Sequence, residues 1–262
     1  VLFGSASSPF MLNATLHHHL DQQNTNVAQD MKENLYVDNL ISGCDTEVDT
    51  VTYYEEARSI MNQGKFNLRS WASNSPLLQA RTSEDNTNEK SEKVNVLGLQ
   101  WHPTTDDLTF AEGSTSTPNV PATKRKILQH TAKVYDPLGL LAPVTIRARI
   151  LLQELWQRKL PWDTPVDQAL QQKWLTIAED IHQSITKQAT LPRQYFSTPL
   201  EQQDKPQLHV FADASTIAYG AVAYLLHGPH TSFVMAKSRV APLKKRTLPQ
   251  LELMAALIGA RM

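Results

Sequence analysis

Apolar residues in the first third of the chain recur at helical spacing. Leu12, Leu16 and Leu20 fall on one stripe, which predicts a helix over residues 10–22. A second amphipathic helix is predicted over residues 49–63, where a following glycine ends the pattern. We interpret the apolar stripes of both helices as core-facing.

Two short segments with strand character accompany these helices. Residues 35–41 predict a tight hairpin around an Asp38-Asn39 turn, because both turn residues tolerate left-handed backbone. Alternation over residues 94–101, followed by a turn and a short apolar run at 108–110, predicts a second hairpin. The charged stretch 82–93 lacks apolar residues and is predicted to be a loop.

The middle of the chain is predicted to be helical. A helix over residues 124–134 is expected to end at the turn 136–139, in which proline and glycine hold their type I positions. Pro143 can open the next helix, since its missing N–H costs nothing there. A third helix is predicted to begin at a capping box over residues 164–167.

After residue 192 the pattern changes to alternation. Residues 208–213, 218–226 and 233–236 predict three strands. A helix is expected from Leu248, with Thr247 as its cap and the Gln250 side chain reaching back. Strands followed by a helix predict an α+β fold.

Composition narrows the class of protein. With 41% hydrophobic residues and a net charge of −1 over 262 residues, the chain has an ordinary globular composition, and it holds no long apolar run that would span a membrane. The single cysteine, Cys44, excludes an intramolecular disulfide and a cysteine-based metal site. Acidic residues dominate residues 30–112, and basic residues dominate 123–159 and 235–262. That distribution suits either contact with phosphates or solvated helix faces.

The first candidate site is the hairpin tip at Tyr36-Val37-Asp38-Asn39. A carboxylate at such a tip has a fixed position and an open side, as phosphoryl transfer with Mg²⁺ requires. The neighbouring tyrosine can pack against a nucleotide or a primer end. An aspartate that serves only as a turn former is the alternative.

The second candidate site pairs Asp213, at the end of a predicted strand, with Glu252 in the last predicted helix. The two carboxylates can converge on a metal ion if that helix packs across the sheet, and we expect them to face each other within reach of one ion. A strand-end cap at Asp213 and a solvated Glu252 are the alternative. The Asp213-Ala214-Ser215 segment also suggests an aspartic peptidase, but it lacks the glycine that the active-site turn of those enzymes needs.

Several motifs, taken in order, resemble the Pol polyprotein of BEL/Pao-type retrotransposons. The segments that carry the resemblance are Val1-Leu2-Phe3-Gly4, Tyr36-Val37-Asp38-Asn39, Leu97-Gly98-Leu99-Gln100-Trp101, residues 135–143, Phe211-Ala212-Asp213-Ala214-Ser215 and residues 248–253. In that family they belong to a reverse transcriptase, a linking region often called a Pao retrotransposon peptidase, and a ribonuclease H.

The resemblance implies a fold, an activity and partners. It implies an α+β protein with part of a polymerase palm over residues 1–112, a helical thumb or connection region over 113–192, and the first half of a ribonuclease H-like domain over 193–262. The implied activities are RNA-directed DNA polymerase and ribonuclease H, which act on RNA–DNA hybrids and primer-template nucleic acid with Mg²⁺ or Mn²⁺. The other implied partner is the rest of the polyprotein, with no membrane, in a cytoplasmic particle or the nucleus.

The resemblance also implies roles for individual residues. The implied catalytic and metal-binding carboxylates are Asp38, Asp213 and Glu252. The implied contacts to nucleic acid are Phe3, Gly4, Tyr36, Trp101, Lys124, Arg125, Lys126, Lys237 and Arg239.

The chain departs from the family pattern at Asn39, where the family has a second aspartate. An amide holds Mg²⁺ less well than a carboxylate does. The remaining carboxylates of both sites are expected upstream of Val1 and beyond Met262, so we expect this chain by itself to catalyse neither reaction. Two alternatives stay open, a non-catalytic nucleic-acid-binding remnant and an aspartic-type Pao peptidase.

Overall fold

The computed structural model describes residues 4–111, 121–187, 190–196, 200 and 205–262. The chain divides into two compact units, one formed by Val1–Val94 with Pro103–Thr105 and the other by Asn95–His102 with Asp106–Met262. Both units mix helices and strands, which confirms the predicted α+β class. Within the described ranges, no helix is both long enough and apolar enough to cross a membrane.

The first unit is mainly helical. Its elements are α1 (Ser8–Asp21), α2 (Asn26–Asn34), β1 (Leu35–Tyr36), β2 (Asn39–Leu40), α3 (Glu47–Gln63) and α4 (Pro76–Glu84). Leu16, Leu20, Met31 and Ile60 bring α1, α2 and α3 together in one core. The two predicted helices are confirmed, whereas α2 was not predicted because it carries few apolar residues. The helix α4 ends inside the stretch 82–93 that was predicted to be a loop, and the remainder of that stretch is not helical.

The first predicted hairpin is present, but its turn lies one residue earlier than predicted. Leu35 pairs with Leu40 and Tyr36 with Asn39, so Val37 and Asp38 form the turn. This register places Leu35 and Leu40 against the core of the first unit, since paired residues share a face of a hairpin. Their burial therefore outweighs the turn preference of the Asp38-Asn39 dipeptide.

The second unit contains the remaining elements. They are β3 (Val94–Val96), β4 (Leu99–His102), β5 (Asp107–Phe110), α5 (Lys124–Lys133), α6 (Ala142–Gln157), α7 (Gln168–Thr186), β6 (Leu191–Pro192), β7 (Gln207–Ala214), β8 (Ala218–His227), β9 (His230–Val240) and α8 (Leu248–Gly259). The strands form two sheets, in the orders β3-β4-β5-β6 and β7-β8-β9. Residues 94–101, predicted as one strand, form two strands because Leu97 and Gly98 turn the chain with φ of +48° and +89°.

Helices α5, α6 and α7 share a core of their own. Ile127, Leu151, Leu155 and Trp174 lie fully buried in it. The helix α7 begins later than the predicted capping box, because Asp167 is its cap and accepts the N–H of Leu170 at 2.8 Å. The residues before Asp167 pair with the start of α5 instead.

The strands β7, β8 and β9 form an antiparallel sheet that α8 packs across. Leu251, Ala255 and Ile258 of α8 pack with Tyr219 and Ala221 of β8. The Gln250 side chain accepts the N–H of Thr247 at 3.2 Å, which confirms the predicted reach-back at the start of this helix. All three predicted strands are confirmed and are longer than predicted.

The turn 136–139 joins the helical core to this sheet. Asp136 accepts the N–H groups of Leu140 and Leu141 at 3.0 and 2.8 Å, which orders the approach to α6. The carbonyl of Leu138 accepts the N–H of Ala236, in β9, at 2.8 Å. Gly139 has a φ of +77°, and a Cβ placed there would lie 1.9 Å from the oxygen of Ala236. Only glycine fits this close approach between two backbones.

We predict that Gly139→Ala strongly destabilises the second unit. The methyl group would overlap the Ala236 carbonyl in addition to occupying a left-handed backbone position. The matched control is Gly228→Ala, because Gly228 has a φ of +55° and open space around it. The control should lose about 1 kcal/mol, as left-handed backbone strain requires, and Gly139→Ala clearly more. Equal losses in chemical denaturation would contradict the role given to the contact with Ala236.

We also predict a pH-dependent stability that originates at His130. This side chain is buried, its ring lies edge-on to Trp174 at 5.2 Å, and burial followed by the charge of Lys133 lowers its pKa from the ordinary 6.5. The unfolded chain therefore binds a proton more readily than the folded one, and stability falls as the pH drops below about 6.5.

Thermal unfolding, monitored by circular dichroism between about pH 7 and pH 5, tests whether His130 causes this pH dependence of stability. His130→Phe should lose less stability over that window than the original chain. His230→Gln, at an exposed histidine of the same unit, should keep the original slope. A steep loss that persists in His130→Phe would place the effect elsewhere.

Candidate functional sites

The predicted carboxylate Asp38 lies at the tip of the β1–β2 hairpin and is exposed. It lines an open cleft of about 260 Å³, whose opposite wall includes Asn67, Arg69 and Ser70. Tyr36 is exposed on the strand before the turn. The hairpin thus holds an accessible carboxylate beside an accessible aromatic ring, as the sequence predicted.

A hydrogen-bonded network holds the base of this hairpin. Asp30 accepts hydrogen bonds from Ser42 at 2.6 Å, from Tyr53 at 2.7 Å and from the side chain of Asn34 at 2.9 Å. Burial and the Asp30 carboxylate raise the pKa of Tyr53, so its hydroxyl stays protonated and donates. The network connects α2 and α3 to Ser42, which follows the hairpin in the sequence. No local pattern indicates this network, because Ser42 and Tyr53 lie 12 and 23 residues from Asp30.

The other two predicted carboxylates lie in the second unit, on neighbouring elements. Asp213 is exposed near the end of β7, and its Oδ1 accepts the N–H of Ala214 at 2.8 Å. Its partner on β8 is Gly220, so no side chain on that strand covers the carboxylate. Glu252 is exposed in the first half of α8. The condition set for these residues, that α8 packs across the sheet, is met.

Strand alternation adds a constraint to this pair. Ala214 packs with the residues of α8, and successive side chains of a strand point to opposite faces. Asp213 therefore points to the face that α8 leaves uncovered. This orientation does not support the expectation that Asp213 and Glu252 face each other across one ion. Among the residues that the structure describes, no group of three or more histidine, cysteine, aspartate or glutamate side chains could hold a metal ion.

The basic residues at the start of α5 are engaged within the protein. Lys124 is only 4% exposed, and its ammonium lies 3.3 Å from the ring centre of Trp156. Arg125 makes two hydrogen bonds to Asp163, at 2.7 and 3.0 Å. The buried position of Lys124 disagrees with its predicted contact to nucleic acid, because no open side remains for a phosphate. Lys126 is partly exposed and donates to the carbonyl of Pro121.

The remaining predicted contacts differ in their accessibility. Lys237 and Arg239 are exposed on β9, on one face of the strand. The indole of Trp101 donates to Asp106 at 2.8 Å, which gives this tryptophan a structural role in the sheet. Gly4 is exposed with a φ of +82°, and Phe3 lies outside the described residues.

Two comparisons with known proteins found matches, one to a family and one to solved structures. The model of a family described as "Pao retrotransposon-like RNaseH-like domain" matches residues 123–262. No curated protein sequence matches the chain. The fold resembles a foamy viral protease-reverse transcriptase in complex with dsDNA, with 15% identity, a TM-score of 0.57, and coverage of 100% of this chain and 48% of that one.

Two further structures of the foamy viral protein show the same likeness. The complex with an RNA/DNA hybrid has 14% identity and a TM-score of 0.54, over 100% of this chain and 32% of that one. The dRH form in complex with ds DNA has 15% identity and a TM-score of 0.56, over 97% of this chain and 40% of that one. The chain thus spans less than half the length of each, and the likeness shows the fold alone.

We predict that Val37→Asn stabilises the first unit. Val37 has a φ of +58°, and a β-branched side chain is strained in that region whereas asparagine tolerates it. The gain should be about 1 kcal/mol in chemical denaturation. The control is Ile41→Asn, at an exposed residue outside the turn, which should bring no gain. A gain from both changes would show that loss of apolar surface, not relief of strain, is the cause.

Proposed function

Because the chain belongs to the family of Pao retrotransposon-like RNaseH-like domains, we propose that it binds RNA–DNA hybrids and supplies carboxylates of a ribonuclease H-type site. The observation that carries the proposal is the family match over residues 123–262. The matched residues include Asp213 on the sheet formed by β7–β9 and Glu252 on the helix that packs across it. The foamy viral structures are described as complexes with dsDNA and with an RNA/DNA hybrid, which supports a nucleic-acid ligand.

The donor groups of this site fit a divalent cation. Carboxylate oxygens are the hard ligands that Mg²⁺ and Mn²⁺ prefer, and Asp213 and Glu252 would hold the ion. Such an ion supplies charge stabilisation to a phosphate that undergoes hydrolysis. The exposure of both carboxylates leaves the ion accessible to a phosphate of the substrate.

A basic surface of the second unit supports the same ligand. Lys244, Lys245 and Arg246 are exposed in the segment that leads into α8, and Lys237 and Arg239 are exposed on β9. Phosphate contacts by lysine and arginine release counterions, so binding through this surface would weaken steeply with salt. We propose that these five residues, and not Lys124, carry the contact to the phosphate backbone.

The polymerase part of the proposal rests on the first unit. Asp38 would be a metal-binding carboxylate of the RNA-directed DNA polymerase, with Tyr36 beside the primer or nucleotide. Asn39 follows Asp38 and offers a neutral amide oxygen, which is a weaker ligand for Mg²⁺. The exposed position of Asp38 on a hairpin whose base is fixed by Asp30 supports this assignment.

Non-catalytic binding of nucleic acid is the second candidate function. One observation favours it, since the described residues bring together no metal-binding group larger than a pair. The peptidase alternative gains no such support, because the matched family is described as ribonuclease H-like.

We predict that Mn²⁺ raises the unfolding temperature of the chain and that Asp213→Asn or Glu252→Gln removes most of this gain. An ion that binds only the folded state stabilises it by mass action, and each change removes one charged ligand. Differential scanning fluorimetry over a Mn²⁺ series measures the effect. Asp45→Asn, at an exposed aspartate of the first unit, is the control and should respond like the original chain.

Two parallel assays separate the candidate functions. Fluorescence anisotropy with a labelled RNA–DNA hybrid measures binding without metal, which both candidates require. Gel analysis of the RNA strand with Mn²⁺ present tests the expectation that this chain by itself does not cleave the hybrid, and the Mn²⁺ series with the carboxylate variants separates the two candidates. Equal stabilisation of all variants by Mn²⁺, with hybrid binding intact, would reject the carboxylate pair and support the non-catalytic candidate.

A further inference from the structure

Two exposed tryptophans meet where α6 ends. Trp156, in the last turn of α6, and Trp162, in the segment that follows, lie edge to face with ring centres 5.2 Å apart and planes at 87°. Their side chains are 52% and 38% exposed, whereas Trp174 of the same unit is fully buried. Tryptophan that serves only the core does not need this exposure. The pair therefore forms an aromatic surface that is open to a ligand.

The buried Lys124 contacts both rings of this surface. Its ammonium lies 3.3 Å from the ring centre of Trp156 and 4.9 Å from that of Trp162, in cation–π geometry. The ammonium also points towards the carbonyl of Leu160, 3.5 Å away. The cation covers part of the Trp156 ring, and the residue is nonetheless 52% exposed.

Arg125 fixes the second ring. Its backbone N–H donates to the carbonyl of Trp162 at 3.0 Å, and its guanidinium makes two hydrogen bonds to Asp163. The same guanidinium lies 5.6 Å from the ring centre of Trp162. The hydrogen bonds to Arg125 lower the pKa of Asp163, so this ion pair persists at neutral pH. Both rings are thus held in place before any ligand arrives, which reduces the entropy lost on binding.

We propose that Trp156 and Trp162 form a stacking platform for an unpaired nucleobase of single-stranded nucleic acid. A nucleobase presents a flat ring to an exposed indole, and stacking of this kind accepts any base. A base inside a duplex has both faces covered by its neighbours, so in a blunt hybrid only the two end pairs present an open face and most binding positions cannot use the platform.

A basic residue close to the platform favours the same ligand. Lys159 is exposed between the two tryptophans in the sequence, and its backbone N–H donates to the carbonyl of Trp156 at 3.0 Å. Its ammonium can meet a phosphate that flanks a stacked base. The platform rests on the proposed function, because it serves a chain that binds nucleic acid. It adds a preference for unpaired segments that the carboxylates and the basic surface on β9 do not provide.

Titration of the whole chain with two labelled oligonucleotides tests the platform. One is a single-stranded RNA and the other is a blunt RNA–DNA hybrid. Trp156→Ala should weaken binding of the single strand about tenfold and leave binding of the blunt hybrid within about twofold. Trp156→Phe keeps an aromatic face and should recover most of the loss. Tyr195→Ala removes an exposed aromatic ring elsewhere in the second unit and should leave both affinities unchanged.

Trp156 also contacts Lys124, so the fold of each variant is checked by circular dichroism and thermal unfolding. Trp162→Ala leaves the Trp156 ring in place and serves as the second variant if Trp156→Ala unfolds. It should weaken binding of the single strand and not of the hybrid. Single-strand binding that both variants retain, or an equal loss for both oligonucleotides, overturns the platform. Either result leaves the proposed function standing as long as the original chain binds the hybrid.

Two other outcomes complete the test. If the original chain binds neither oligonucleotide, the platform and the proposed function fall together. If a proline-rich peptide quenches the fluorescence of these tryptophans and the single strand does not, the surface receives a protein, and the platform for a nucleobase is overturned.

Discussion

The second unit depends on the contact between the turn 136–139 and strand β9. There the carbonyl of Leu138 accepts the N–H of Ala236, and Gly139 passes against the oxygen of the same residue without a side chain between them. Two backbones approach this closely only where one of them carries glycine. The contact joins the helical core of α5–α7 to the sheet that carries Asp213, and it thereby fixes one relative to the other within this unit.

Some basic side chains are paired within the protein, and others remain exposed to solvent. Lys124 lies under two tryptophans and Arg125 is paired with Asp163, although both belong to a basic segment. A basic segment in the sequence therefore does not mark a phosphate-binding surface unless its charges stay exposed. Lys237 and Arg239 remain exposed, together with the basic run that leads into α8. The same contacts that remove Lys124 from solvent build the aromatic surface of Trp156 and Trp162.

The two candidate metal sites differ in how they are held. Asp38 sits on a hairpin whose base is tied by three hydrogen bonds to Asp30, and whose turn places valine at a positive φ. Asp213 and Glu252 sit on a strand and a helix that pack together, but strand alternation turns Asp213 away from the packed face. Strain and exposure at such positions are tolerated because neighbouring packing fixes the backbone.

The sequence by itself determined the α+β class, most helices and strands and the reach-back of Gln250, because local periodicity and turn residues encode these features. The resemblance to retrotransposon Pol proteins rests instead on several short motifs in a fixed order. The sequence pattern misplaced the hairpin turn by one residue, since the burial of Leu35 and Leu40 decides that register. Only the tertiary structure decided which charged side chains and which aromatic rings are buried and which stay exposed. Whether Lys124 meets a phosphate or two tryptophans depends on partners 32 and 38 residues away along the chain, and no local pattern specifies such partners.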